Sequence, residues 1–272
     1  MTRNYRIALA LVIPLLTFFA AFFLLPMARL FFSSIEGQGL NLYVQALTQK
    51  HYVQSLIHTV ALSMAVTLFS LAVAGVVGVF LSRNQFPGRR ILVSLLTFPL
   101  AFPGVVVGFM IILLAGRQGL IGDLTKSLTG EKLVLAYSLF GLFLGYVYFS
   151  IPRVVTTVMA AAEKLNPDLE EAARSLGASP MQVVRDVIIP SLVPALLSSG
   201  AICFATSMGA FGTAFTLAAN IDVLPIAIYT EFTLSANIAM ASTLSIILGI
   251  ITWLMLVLAR MVSGEQTLGA AG

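Results

Sequence analysis

Six apolar runs constrain this chain more than any other feature. They cover about 7–32, 56–81, 91–115, 133–157, 192–219 and 238–261. Each exceeds the roughly 20 residues that a helix needs to cross the hydrocarbon core of a bilayer. The runs are continuous instead of alternating with a period of two, so they predict helices and not the strands of a barrel. The fifth run is the most dilute, interrupted by Thr206, Ser207, Gly209, Gly212 and Thr213. Of the 272 residues 59% are hydrophobic and only 10% charged, against about a quarter charged in a soluble domain. The expected class is an all-α polytopic membrane protein with six transmembrane helices. Arg3 and Arg6 precede an apolar stretch over 7–35. A cleaved signal would carry an apolar core of only about 7–15 residues, so this stretch is expected to be a retained first helix.

The basic residues orient the chain. Arg3, Arg6, Arg83, Arg89, Arg90, Arg153, Lys164, Arg174, Arg185 and Arg260 fall on one side of the expected membrane, and Arg29, Lys50, Arg117, Lys126 and Lys132 on the other. The side richer in Lys and Arg is expected in the cytoplasm, together with both termini. The formal net charge of +4 is scattered between apolar runs, which reads as orientation and not as a nucleic-acid surface. No P-loop, H-E-x-x-H or C-x-x-C sequence occurs, so no catalytic residue, metal or cofactor is expected. The single Cys203 sits in an apolar run. His51 and His58 read as polar residues near an outer helix end more readily than as a metal pair. No acidic residue lies well inside a run, which argues against proton or sodium coupling.

One cytoplasmic segment, 158–191, has room for structure of its own, whereas the 82–90 turn "SRNQFPGRR" has the length of a helical hairpin turn. Asn166 is a fitting N-cap and Pro167 a fitting first helical residue. Asp168 and Glu170 suit the first turn, where the helix dipole favours acids. Gly177 supplies a left-handed stop. Ser179, Pro180 and Gln182 spell a second start with a capping box, and this second helix is expected to stop near Pro190. Leu169, Ala172, Ala173 and Leu176 form a face of mostly small residues on the first helix. Val183, Val184, Val187 and Ile188 form an apolar stripe on the second. Two readings stand: a connector packed on its own bundle, and a docking surface for another protein.

The segment also resembles a known signature. Glu171-Ala172-Ala173, Gly177, Val187, Ile189 and Pro190 stand at the spacing of E-A-A, three residues, G, nine residues, I-x-L-P. Val and Ile replace Ile and Leu. The signature is that of the cytoplasmic loop of binding-protein-dependent ABC transporter permeases, and the resemblance covers about 55–260. It implies a type I ABC importer permease fold, with a first helix and periplasmic segment over 1–55, a permease domain over 56–261 and a cytoplasmic tail over 262–272. The implied partners are cytoplasmic ATPase subunits, a second permease subunit (identical or not), a periplasmic solute-binding protein and the lipid of a bacterial inner membrane. The implied coupling residues are Glu170, Glu171, Ala172, Ala173, Arg174, Gly177, Ala178, Ser179 and Pro190. Arg174, Arg185 and Asp186 could face the ATPase or simply stay solvated.

Pathway candidates come from breaks and hydroxyls within the runs. Pro99 and Pro103 free backbone groups inside the third run, expected to kink it, and Gly104 and Gly108 allow close helix contact. Thr206, Ser207, Gly209, Gly212 and Thr213 make a small polar face that lipid would not accommodate. Each set also reads as packing alone, the proline–glycine set more readily so. Gly141, Gly145, Tyr137, Tyr146 and Tyr148 mark the fourth run, the tyrosines as interfacial anchors. Glu231 faces the access route or the binding protein, or is an ordinary interfacial acid. The third and fifth runs resemble permeases for sulfate, molybdate, iron, polyamines and phosphonates, with a polyamine or aminophosphonate as the first expectation. The competing class is a secondary transporter or channel working without an ATPase; a membrane scaffold is a third.

Overall fold

A computed structural model describes residues 12–37, 39–217 and 221–263. Arg3, Arg6, the start of the first run and the tail beyond Ser263 lie outside the described residues, as does Asn220. The described residues are helical, without strands. The helices are α1 (Val12–Ile35), α2 (Asn41–Thr48), α3 (Lys50–Arg83), α4 (Arg89–Thr97), α5 (Gly104–Ala115) and α6 (Leu120–Thr129). They continue with α7 (Leu139–Ala162), α8 (Pro167–Ser175), α9 (Pro180–Met208), α10 (Phe211–Leu217), α11 (Leu224–Leu234) and α12 (Ile238–Ser263). Among the described residues six stretches are long and apolar enough to cross a membrane: α1, α3, Gly104–Thr129, α7, α9 and Ile238–Val262.

The chain forms two compact units, one of 1–53 with 227–250 and one of 54–226 with 251–272. In the first unit α1 leaves its phenylalanines exposed, with Phe18 on Phe22 and Phe19 on Phe23 stacked one turn apart. Lipid is the solvent that makes such a surface stable. Two hydrogen bonds tie the unit's elements together. The Ser34 hydroxyl meets the Tyr43 hydroxyl at 2.7 Å, and Thr243 donates to the Ser34 carbonyl at 3.2 Å.

The second unit holds a core that includes Val66, Leu81, Leu142, Tyr146, Val154 and Leu217. Its helices approach closely where a side chain is missing. A Cβ on Gly108 would lie 2.7 Å from Thr216 Cβ, and one on Gly145 would lie 2.7 Å from Thr213 Cγ2. One on Gly78 would lie 2.9 Å from Val158 Cγ1. The hydroxyls of α10 close these contacts: Thr213 donates to the Gly104 carbonyl at 2.9 Å and Thr216 to those of Gly212 and Val105 at 2.9 and 3.3 Å.

Three expectations need correction. The third run is not one kinked helix. α4 ends, Phe98–Ala101 makes a 3₁₀ turn, and Phe102 and Pro103 are extended before α5 begins. Pro103 pushes its predecessor out of the helical region and cannot continue the hydrogen-bond ladder, so the segment separates. The fifth run is likewise split at Gly209 and Ala210, between α9 and α10. Finally, the second loop helix does not stop at Pro190. It widens into a π turn over Val184–Ile188, where the Ile189 N–H donates to the Val184 carbonyl, and runs on as α9. The wider turn gives the proline ring room against the preceding turn, which an ordinary helical turn lacks. It also moves the stripe. Val183 and Ile188, five apart, are buried, while Val184 is exposed.

Candidate coupling loop and transmembrane cavity

The segment between α7 and α9 is fastened at each step by its own residues. The Asn166 side chain accepts from the Asp168 N–H at 3.0 Å. Gly177 has φ +88°. Its N–H donates to the Arg174 carbonyl at 2.9 Å, and the Ala178 N–H to that of Ala173 at 3.1 Å. This pair of bonds is a Schellman motif closing α8. Ser179 and Gln182 exchange both bonds of a capping box, at 2.7 and 3.4 Å.

The loop has two faces. Ala173, Ala178 and Val183 turn to the core. Glu170 is also buried, and its carboxylate accepts from the Arg83 guanidinium at the end of α3. Arg174 approaches the same carboxylate at 3.6 Å from the exposed side. Arg89 forms the second staple. It donates to the Leu81 carbonyl at 2.7 Å and to Glu163, just past α7, at 2.9 Å. The 82–90 turn is therefore more than a connector, because two of its three arginines, Arg83 and Arg89, hold the loop. Glu170 serves the loop's foundation rather than its open face. That open face carries Glu171, Ala172, Leu169, Leu176 and Met181, the last two 89% and 74% exposed. Arg185 and Asp186 are exposed and face each other at 3.6 Å, a solvated pair.

Elsewhere in the same unit, the two helix breaks bound a cavity of about 280 Å³. Leu100, Phe102 and Phe149 give apolar walls; Gly104, Gly212 and Thr213 give a wall of small residues. Arg153 and Thr206 complete the lining, with the Ala210 turn between α9 and α10. The buried Tyr146 hydroxyl donates to the Ala210 carbonyl at 2.6 Å and so ties the break to α7. Thr206 donates back to the Ile202 and Cys203 carbonyls. Non-helical backbone at this depth is tolerated where it is buried in protein or lines a polar cavity, as in broken transporter helices.

The predicted pathway residues divide accordingly. Gly104, Thr206, Gly212 and Thr213 meet at the cavity, Pro99 and Pro103 make the break beside it, and Gly209 makes the other. Gly108 packs against Thr216. Ser207 is buried in α9 with no partner for its hydroxyl among the described residues. Glu231 belongs to the other unit, where it accepts from the Tyr52 hydroxyl at 3.0 Å. Among the described residues no cluster of His, Cys, Asp and Glu could hold a metal; the His58 ring meets the Asp222 carbonyl at 3.1 Å. Sequence reasoning missed Arg153 as a lining residue. It had been counted with the cytoplasmic charges, but α7 continues to Ala162, about two and a half turns further. The signal was present: a charge directly after Pro152 inside an apolar run.

Membrane-length helices, two of them broken around a polar-lined cavity, and a separately capped loop define a polytopic membrane transport subunit. The sequence pattern of the binding-protein-dependent transport system inner membrane component matches residues 74–264. The chain belongs to that family and is a multi-pass inner-membrane permease subunit of an ABC importer. It is 30% identical over 238 residues to the sulfate transport system permease protein CysW of Synechocystis sp. (strain ATCC 27184 / PCC 6803 / Kazusa), covering 85% of this chain and 83% of that one. It is 33% identical over 181 residues to the molybdenum transport system permease protein ModB of Escherichia coli (strain K12), covering 65% and 78%. Its fold matches a chain in the crystal structure of a bacterial alginate ABC transporter in complex with alginate pentasaccharide-bound periplasmic protein. That match has a TM-score of 0.85 at 16% identity and covers 97% and 96% of the two chains. The fold is that of type I ABC importer permeases.

Proposed function

We propose that this permease subunit passes a small polar solute, delivered by a solute-binding protein, and is driven through the α8–α9 loop by ATPase subunits on separate chains. Glu171, Ala172, Leu176 and Met181 form the docking face, and the loop and both termini are cytoplasmic. Gly177, Ala178 and Ser179 shape the turn that presents this face, and Ala173 and Glu170 seat it.

One observation carries the reading. The loop turns an apolar face outwards, while ion pairs fix its back to the end of α3 and the start of α4. Apolar side chains left bare outside lipid mark a surface that another protein covers. A rigid back is what a pushed element requires if force is to reach the membrane helices. An ATPase-independent carrier has no need of such a face.

Co-purification tests the reading. Leu176→Asp should abolish recovery of the ATPase with this chain, whereas Gln85→Ala in the 82–90 turn should leave recovery unchanged. Retention of the ATPase by Leu176→Asp would refute the docking role. Labelling of a cysteine introduced at Gln182, in intact cells and in inverted vesicles, reads the orientation.

A further inference from the structure

We infer that Arg153 makes the cavity between the two helix breaks a charge-selective step, and that the transported solute is a small oxyanion. The inference rests on the transport reading above and adds the substrate class and the residue that selects it.

A guanidinium inside a membrane-length helix is unfavourable, by about 2.5–3.5 kcal/mol near the bilayer centre, and persists where water, a cavity or a partner receives it. Arg83 and Arg89 have carboxylate partners. Arg153, although half-buried in α7, has none among the described residues. What it does have is the cavity, and among the described residues no Asp or Glu lines that cavity. The lone positive charge is reinforced from the opposite wall. Gly104 opens the twelve-residue helix α5, whose first turn has no side-chain cap, so the positive end of its dipole meets the same space. The hydroxyls of Thr206 and Thr213 are spent on backbone carbonyls, which leaves the guanidinium as the principal side-chain donor.

This arrangement attracts an anion and repels a cation. Arginine presents a planar fork of donors that matches two oxygens of a tetrahedral or trigonal oxyanion. A volume of about 280 Å³ admits such an ion with several waters, each needing about 30 Å³. Holding the ion through one fork, water and backbone dipoles gives passage without deep trapping. A polyamine would meet like charge with no carboxylate to offset it. The sulfate and molybdenum permeases to which the chain is similar fit this chemistry, since molybdenum travels in water as an oxyanion.

Two measurements test the inference in the full transporter. In proteoliposomes carrying the complex and its solute-binding protein, uptake of sulfate, molybdate, 2-aminoethylphosphonate and spermidine is compared. At least one of the three anions should be carried, and Arg153→Gln should reduce its uptake about tenfold, the loss expected for one charge-assisted contact, while Arg153→Lys, which keeps the charge without the fork, falls between the two. ATP hydrolysis stimulated by the solute-binding protein should survive Arg153→Gln; its survival separates a failure of this inference from a failure of the ATPase-coupling reading. Uptake of spermidine alone, or anion uptake indifferent to Arg153→Gln, would overturn the inference.

The second measurement needs no transported solute. In a Cys203→Ser background, Thr206→Cys is modified with a sulfonate-bearing and a trimethylammonium-bearing methanethiosulfonate. The rate ratio should favour the anionic reagent and fall about tenfold on Arg153→Gln, as expected when a nearby charge in a partly dry site is removed. A ratio unchanged by Arg153→Gln would refute the role of Arg153.

Discussion

Glycine and proline interrupt helices in two regions of this protein, and the two regions repair the damage differently. In the α8–α9 loop, Gly177 and Pro180 separate two helices whose loose backbone groups are taken up within a few residues, by Asn166, by Ser179 and Gln182, and by the Schellman bonds. In the membrane region, Pro103 and Gly209 separate helices that are tied across each break by residues from far along the chain. Tyr146 reaches the Ala210 carbonyl and Thr213 reaches that of Gly104. Solvent explains the contrast. Beside water an end needs only a local cap, because water satisfies the remainder. In hydrocarbon every freed group needs a protein partner, and such a partner must be brought by packing. Local repair makes the loop a separable device; distant repair makes the cavity wall a property of several helices together.

Substitutions can break this comparison. The largest effect is expected for Gly108→Leu, which would push α5 from α10 against Thr216 and cost about 3 kcal/mol. A drop in the thermal melting point of the detergent-solubilised chain reads it, and unchanged melting would mean that the close approach is dispensable. Tyr146→Phe removes the hydroxyl that ties the half-buried Ala210 carbonyl to α7, at about 1.5 kcal/mol, and should also widen thiol access to the cavity. Gly177→Ala strains only a left-handed turn, since nothing stands within 4 Å of the added Cβ; about 1–2 kcal/mol of loop stability should go. Its signature is weaker ATPase association with global melting little changed. Ser179→Ala removes one cap, at about 1 kcal/mol, and should appear only as faster amide exchange in the first turn of α9. If the loop substitutions lowered global melting as much as the membrane ones, the loop would not be a separable device.

The ion pair of Glu170 with Arg83 sharpens the comparison, because it is where the two regions are joined. Glu170→Gln keeps the shape but discharges the pair. It should weaken the coupling of ATP hydrolysis to transport more than it weakens ATPase binding. If binding were lost first, Glu170 would belong to the docking face after all.

The loop was legible in sequence because its signals are local. Asn166-Pro167, Gly177 and Ser179-Pro180-x-Gln182 each act within a turn, and all three act in the structure as read. Pro190 misled for the opposite reason. A proline usually ends a helix, but here a π turn upstream absorbs it, and no short-range pattern announces a π turn. The proline pair of the third run was visible as a disturbance, yet whether it kinks or severs a helix depends on who receives the freed groups. Glu170 and Arg83 are 87 residues apart, too far for spacing to pair them.

The sequence alone determined the solvent, the membrane-length helices and the capped loop, because hydropathy and capping are short-range and additive along the chain. Tertiary structure alone decided which charges are satisfied. Arg83 and Arg89 find carboxylates, whereas Arg153 finds a cavity bounded by two broken helices. A charge's meaning depends on what lies within a few ångströms of it, and residues distant in sequence supply that surrounding.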